Sequence, residues 1–168
     1  MSVILVSDQY SQNHQFVNII NSNIWTDNNR FNIVGDYSYS IFPTKTYGLG
    51  STSLLSDAAN VKYDHLRIYE VVMRKVSSNF YIGAGYDLDY HWNIKESKGD
   101  ANPITDLERY GYNQKSTSSG FTLNMEYDSR LNSNNPENGT YAHLQFRNNA
   151  GVFGSDNNWK SLILDVRH

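Results

Sequence analysis

From Phe80 to Trp92 the chain alternates without a break. Phe80, Ile82, Ala84, Tyr86, Leu88, Tyr90 and Trp92 fall on one side, and Tyr81, Gly83, Gly85, Asp87, Asp89 and His91 on the other. A period of two sustained this far specifies a β-strand with one apolar and one polar face. Strands of globular proteins usually run about five or six residues, whereas a tilted strand crossing a bilayer needs about 9–11. Phe80 stands at one end of the apolar face and Tyr90 and Trp92 at the other, where two membrane interfaces would require aromatic rings.

The pattern recurs. Phe121, Leu123, Met125 and Tyr127 alternate with Thr122, Asn124, Glu126 and Asp128. Ala142, Leu144 and Phe146 alternate with Tyr141, His143, Gln145 and Arg147. Phe31 to Ile41 and Lys160 to Arg167 are further strands. His65 to Val76 is β-rich, but Glu70 and Arg74 share a face with Leu66, Ile68 and Val72. Phe16 to Trp25 mixes Val, Ile and Asn, and Val3 to Val6 reads as the tail of a strand. The expected fold is all-β: an antiparallel up-and-down transmembrane β-barrel, partial, with about eight strands of a larger barrel in a single domain over 1–168.

Bulk composition agrees with that expectation. Mean hydropathy is −0.61 and 39% of residues are hydrophobic, a low average that alternating lipid-facing and lumen-facing side chains produce. Charged residues make up 18% and there are 13 Tyr, a balance that suits sheets with aromatic girdles. A net charge of −3, with no basic patch, argues against a nucleic-acid partner. The absence of Cys excludes disulfides, thiolate metal sites and Cys nucleophiles. No apolar run approaches the roughly 18 residues of a transmembrane helix. The opening run Val3 to Val6 has no basic residues before it, unlike a secretory signal. An exported barrel needs one, so the chain is expected to begin inside a longer protein.

The connections alternate in length. Ser77-Ser78-Asn79 is a tight hairpin, whereas Asn93 to Ser118 is a long polar loop. In outer-membrane barrels short turns lie on the periplasmic side and long loops outside. That places Ser77–Asn79 and Arg130–Gly139 on the periplasmic side, with Asn93–Ser118 and Ala150–Asn157 outside.

Asp128 to Tyr141 reads DSRLNSNNPENGTY. Pro136 fixes φ near about −65° and Gly139 can take positive φ, so Pro-x-x-Gly reads as a turn. Arg130, opposite Asp128 or Glu137, would tie that turn to the rim. The segment resembles the D-x-R-D-N-x-x-x-P-x-x-G-x-Y turn of the bacterial surface antigen family, which contains the BamA/TamA-type outer-membrane barrels. Asp128, Arg130, Asn132, Pro136, Gly139 and Tyr141 stand at the matching positions, and Leu131 replaces the motif's second acid. Trp25 to Gly50, Phe80 to Ile94 and Phe153 to Arg167 are similar to other parts of that family, in sequences of the Bacteroidetes type. The resemblance implies about half of a sixteen-stranded barrel in the bacterial cell outer membrane. The family's V-R-G-F/Y loop, its C-terminal strands and its periplasmic POTRA repeats lie outside the chain. The implied role is assembly or translocation of outer-membrane proteins or lipids. The implied partners are outer-membrane lipids, nascent outer-membrane proteins and the remaining barrel strands.

The polar residues admit sharper readings. Asp87, Asp89 and His91 line one face, as do His143 and Arg147, with Glu126 nearby. Carboxylates and His build acid–base and metal sites, and His143 with Glu126 or Asp128 suggests a relay. The same face elsewhere carries Asn, Ser, Thr and Gln, the signature of a lumen wall. Ser, His and Asp occur without a G-x-S-x-G elbow. Gly48-Leu49-Gly50 and Gly83-Ala84-Gly85 precede no phosphate-binding helix, and in-strand Gly marks a bend or close packing. The expectation is therefore no enzyme, no catalytic residue, no metal and no cofactor. Two alternatives stay open: the barrel of a fused patatin-like lipase, and a soluble eight-stranded barrel whose apolar face points inward around a small ligand.

Overall fold

The computed structural model describes residues 2–48, 50, 51, 53–98, 105, 108, 109, 114–131 and 138–168. It contains a single antiparallel sheet of eight strands in sequence order: β1 (Val3–Tyr10), β2 (Phe16–Trp25), β3 (Phe31–Thr46), β4 (Ala59–Ser77), β5 (Phe80–Lys98), β6 (Ser116–Asp128), β7 (Tyr141–Asn149) and β8 (Trp159–Arg167). Every neighbour in the sheet is a neighbour in sequence, so the topology is a plain up-and-down meander. The sheet is open. β1 pairs only with β2 and β8 only with β7, and each offers an unpaired edge among the described residues.

The expected strands are all present, and most extend further than the alternation indicated. β5 runs six residues past Trp92 because the chain absorbs an irregularity there. Asp64 pairs with Trp92 and Lys62 with Lys95, so β5 holds one residue more than β4 in that interval. Asn93 takes a left-handed φ of 53°, a conformation Asn tolerates better than most residues. The bulge shifts the phase of the alternation, which is why the sequence beyond it looks like loop. The Ser77–Phe80 pair closes the expected tight hairpin.

The connections at 26–30, 78–79 and 129–140, of five, two and twelve residues, lie at one end of the sheet. Those at 11–15, 47–58, 99–115 and 150–158 lie at the other. This is the predicted alternation of ends, with Asn93–Ser118 shortened because β5 and β6 both reach into it.

The two faces differ in what they bury. On one face Asn32, Asp87, Thr122, Asn124, Arg147 and Asn149 are buried, with Met73 and Tyr81 among them. On the other, Ile82, Leu123, Met125, Tyr127, Leu162, Leu164 and Val166 are exposed. Register puts the members of each set on common faces: Asp87 pairs with Gly120 and Gly120 with Asn149, while Ile82 pairs with Met125 and Met125 with Leu144. The first is called here the inner face and the second the outer face.

Glycine shapes the inner face. A Cβ at Gly83 would stand 2.3 Å from the Val72 carbonyl oxygen and 2.7 Å from Met73 Cγ. A Cβ at Gly85 would stand 2.4 Å from the Glu70 carbonyl oxygen and 2.7 Å from Thr122 Oγ1. Their missing side chains let Met73 and Thr122 fold over β5, the close packing expected of in-strand Gly.

Candidate functional site: an arginine network on the inner face

Arg147 on β7 gathers groups from five strands. Its Nη2 donates to Asp89 Oδ2 at 3.1 Å and its Nη1 to the Tyr69 hydroxyl at 2.9 Å. Nη1 also stands 3.5 Å from Asp87 Oδ2. Nε donates to Asn149 Oδ1 at 3.0 Å, and Nη2 reaches the Ser118 carbonyl on β6 at 3.4 Å. The guanidinium plane lies between two rings, Tyr69 of β4 at 5.1 Å and Trp159 of β8 at 4.9 Å. Planar charge, five donors in a fixed fork and affinity for aromatic faces make Arg the residue able to hold all these partners together.

The span has a structural consequence. β4 and β7 are three strand spacings apart, about 14 Å in a flat sheet. Contact between their side chains means the sheet curls toward its inner face. Asp87 is only 2% exposed and Arg147 6%, so the ion pairs are desolvated and hold the strands in fixed relation.

The network continues along β4. The Tyr69 hydroxyl donates to Asp89 Oδ2 at 2.5 Å, and Arg67 Nε donates to Asp89 Oδ1 at 3.4 Å. His65 Nε2 lies 3.3 Å from the same Oδ1. His91 stacks on His65 with centroids 4.1 Å apart and planes 7° apart, and Tyr63 packs on His91 at 5.5 Å. Arg67 extends the chain of charges to Asp36 on β3 at 3.7 Å.

The six polar residues assigned to the lumen side all lie on the inner face, but they form two groups. Asp87, Asp89, Arg147 and His91 belong to the network above. Glu126 and His143 stand opposite each other in register yet bond elsewhere. The Tyr141 hydroxyl donates to Glu126 Oε2 at 3.4 Å, and His143 Nε2 lies 3.1 Å from Asn124 Oδ1. Asp128 is engaged by Arg130, so the imagined relay among His143, Glu126 and Asp128 is not assembled. Among the described residues no group of three or more His, Cys, Asp or Glu is placed to hold a metal ion.

The turn motif is built as its residue types suggest. Arg130 Nε donates to Asp128 Oδ1 at 2.9 Å and Nη2 to Oδ2 at 2.8 Å, a bidentate pair, and the Arg130 backbone N–H adds a third bond at 3.0 Å. These hydrogen bonds to Asp128 raise the Arg130 pKa above its ordinary value. The same guanidinium covers the Tyr141 ring at 4.5 Å. Gly139 has φ 109°, and a Cβ there would meet Arg130 Cα at 2.8 Å. Asp128, Arg130, Gly139 and Tyr141 thus come together at one rim. Asn132, Pro136 and Glu137 lie outside the described residues.

Sequence reasoning missed Tyr69, Arg67, His65, Asn149 and Trp159. A signal for three of them was available. The tight hairpin at 78–79 fixes the β4–β5 register to within a residue and so brings Tyr69 and Arg67 across from Asp87 and Asp89, with His65 across from His91. The contacts of Arg147 with β4 and of Trp159 with Arg147 depend on curvature, which no local pattern encodes.

No protein-family model, curated protein or solved structure matches the chain.

Among the described residues no helix is long and apolar enough to cross a membrane, a fact that does not bear on crossing by strands.

Proposed function

We propose that this chain forms part of the wall of a bacterial outer-membrane β-barrel, with the outer face against lipid and the inner face lining a polar lumen. The observation that carries this reading is the inversion of the two faces. Charged and amide side chains are buried, while Leu123, Met125, Leu162 and Leu164 are more than half exposed. Large contiguous apolar surfaces mark contact with protein or membrane.

The dimensions support lipid as the contact. Tyr90 and Trp92 stand ten and twelve residue steps beyond Phe80 along β5, about 33–40 Å at about 3.3 Å per residue. At a tilt of about 45° this covers about 25 Å vertically, the height of the apolar band of outer-membrane barrels. A row of rings on the outer face marks one boundary: Phe16 lies 6.1 Å from Tyr39, Tyr39 stacks on Trp92 at 5.9 Å, and Trp92 on Tyr90 at 5.0 Å. Phe31, Phe80 and Tyr127 supply aromatic residues toward the other end. Among the described residues three carboxylates fall on this face: Asp8 and Asp64 toward the long-loop end, and Glu70, which accepts a hydrogen bond from the Tyr37 hydroxyl, whose ring lies over Gly35.

By resemblance of its turn motif, the role of such a wall is mechanical: the complete barrel would insert or translocate outer-membrane proteins or lipids. A soluble ligand-binding barrel requires the apolar rows to point inward, and here the inner face carries the Arg147 network instead.

The three tryptophans provide the test. Trp92 lies on the outer face, whereas Trp25 packs on the inner-face Tyr81 at 5.5 Å and Trp159 on Arg147. The chain is refolded into vesicles containing brominated lipid, and quenching of tryptophan fluorescence is measured. Strong quenching in the wild type that disappears in Trp92→Phe is expected. A monomer folded in plain buffer, with no quenching and with saturable uptake of an apolar small molecule, would establish the soluble carrier instead.

A further inference from the structure

The long-loop end of the outer face carries a feature that a lipid-facing wall alone does not need. A cavity of about 500 Å³ opens there, lined among others by Tyr90, Trp92, Lys95, Gln114, Lys115 and Asp156. Its aromatic side is pre-organised: Tyr90 and Trp92 stack with planes 17° apart, and Tyr39 backs Trp92 with planes 20° apart. Its cationic side depends on the Asn93 bulge. The register shift sets Lys95 beside Lys62, on the face that Trp92 occupies, when unbroken alternation would have turned it to the inner face. Lys115 precedes β6 at the level of Trp92, and the Ile94 N–H donates to the Gln114 carbonyl at 3.2 Å.

Asp156 is committed elsewhere. Its Oδ2 accepts from the Thr117 N–H at 2.6 Å, and its own N–H donates to the Thr117 carbonyl at 2.9 Å. These bonds fasten the 150–158 connection onto β6 as a wall of the cavity. Lys95 and Lys115 are exposed and have no ion-pair partner among the described residues.

A stacked aromatic platform, two free ammonium groups and an amide, arranged around one concavity, form a site of mixed chemistry. The negative ring face suits the C–H face of a sugar. Flexible lysine ammonium groups suit a phosphate as point charges. The apolar rows running away from the cavity along the outer face suit acyl chains. We propose that this cavity binds a phosphorylated sugar, presented as the headgroup of a glycolipid in the leaflet on the long-loop side. This inference rests on the membrane reading above.

The experiment refolds the full chain into phosphatidylcholine vesicles doped with a phosphorylated glycolipid, extracts it in mild detergent and measures glycolipid retained per protein. Wild type should be enriched over the bulk lipid ratio. The Lys95→Gln/Lys115→Gln double variant should retain about tenfold less, from the loss of two ammonium groups near an anionic surface. Arg74→Gln, a cation at the opposite end of the same face, should retain as much as wild type. A double variant that inserts like wild type and retains the glycolipid equally overturns the proposal. A water-soluble sugar phosphate that binds as tightly as the glycolipid, with the same lysine dependence, overturns the lipid source and leaves the sugar-phosphate chemistry standing. Failure of every variant to insert refutes the membrane reading. Lysine-dependent binding of the soluble sugar phosphate would then still support the cavity, and its absence would remove the site.

Discussion

The middle of the sheet and its two edges are made from the same alternating pattern but are held together differently. In the middle, β4 to β7 bury charge against charge on the inner face, with Asp87 and Arg147 almost fully enclosed. At the edges neither face is enclosed. β1 exposes Ile4 and Val6 on its outer side and Leu5 on its inner side, and β8 exposes Leu162 and Leu164 outside and Ile163 inside. Binary pattern decides which way a side chain points. Enclosure requires a strand on both sides and curvature to bring distant side chains into contact.

The largest expected effect comes from breaking the middle. Arg147→Met keeps length and apolar volume but leaves Asp87 and Asp89 without their shared cation. Removing one partner of a buried ion pair typically costs about 3–5 kcal/mol. The loss should appear as a lowered denaturation midpoint, in lipid as in detergent. Adding Asp87→Asn and Asp89→Asn to Arg147→Met should recover part of the loss, because no uncompensated charge remains. A single variant as stable as wild type would mean that the network decorates the inner face without holding it.

The second prediction sharpens the contrast between faces. Leu123 lies mid-strand on the outer face and is 51% exposed. Leu123→Arg should cost about 2–4 kcal/mol in a bilayer, the range for Arg on the lipid face near the midplane. In water an exposed substitution of this kind stays within about 0.5 kcal/mol. Comparing unfolding in vesicles and in buffer separates the two. Equal effects in both media would remove lipid as the neighbour of this face.

A smaller effect belongs to the inner face. Gly83→Ala forces a methyl group against the Val72 carbonyl and Met73, and overpacking of this kind costs about 1–3 kcal/mol. The expected readout is a lower unfolding midpoint, accompanied by a change in the Tyr81–Trp25 contact visible in near-ultraviolet circular dichroism. Unchanged stability would show that the β4 backbone at Val72–Met73, and not only the Met73 side chain, can shift at no cost.

Much of this fold was legible in the sequence because strand faces are a local property. Phe80 to Trp92 announced β5 and its faces, and Phe16 to Trp25 coincides with β2 despite its mixed composition. β4 was blurred for an identifiable reason. Glu70 is tolerated on the outer face because Tyr37 folds over Gly35 to bond it, a solution that needs the neighbouring strand. β5 beyond Trp92 was hidden by the Asn93 bulge, which changes the phase of the alternation. Of the Arg147 network, the side of the sheet was legible for Asp87, Asp89 and Arg147. The meeting of Arg147 with Tyr69 was not, because a separation of 78 residues is bridged by sheet curvature and not by any repeat. The turn from Asp128 to Tyr141 was legible at Arg130 and Gly139 because a bidentate pair and a positive φ are requirements of single residues.

The smallest effect on stability is expected at the edge, where it distinguishes a free edge from one already satisfied. Ile4 on β1 is 62% exposed, and among the described residues its strand pairs with β2 alone. Ile4→Lys removes little packing, so unfolding in water should shift by no more than about 0.5 kcal/mol. Its effect on association should be larger. An unpaired strand with a run such as Ile4-Leu5-Val6 is a template for another strand, and an inserted Lys is the common device by which edges resist this. Sedimentation of the refolded chain in buffer should show self-association of the wild type, reduced in Ile4→Lys and reduced further when Leu164→Lys blunts β8 as well. Ile82→Lys, on the outer face of the interior strand β5, should leave edge-to-edge association in place because its backbone is already paired on both sides. If Ile82→Lys dissolves the aggregates as well as Ile4→Lys does, the sticky element is the outer face as a whole and not the unpaired edge.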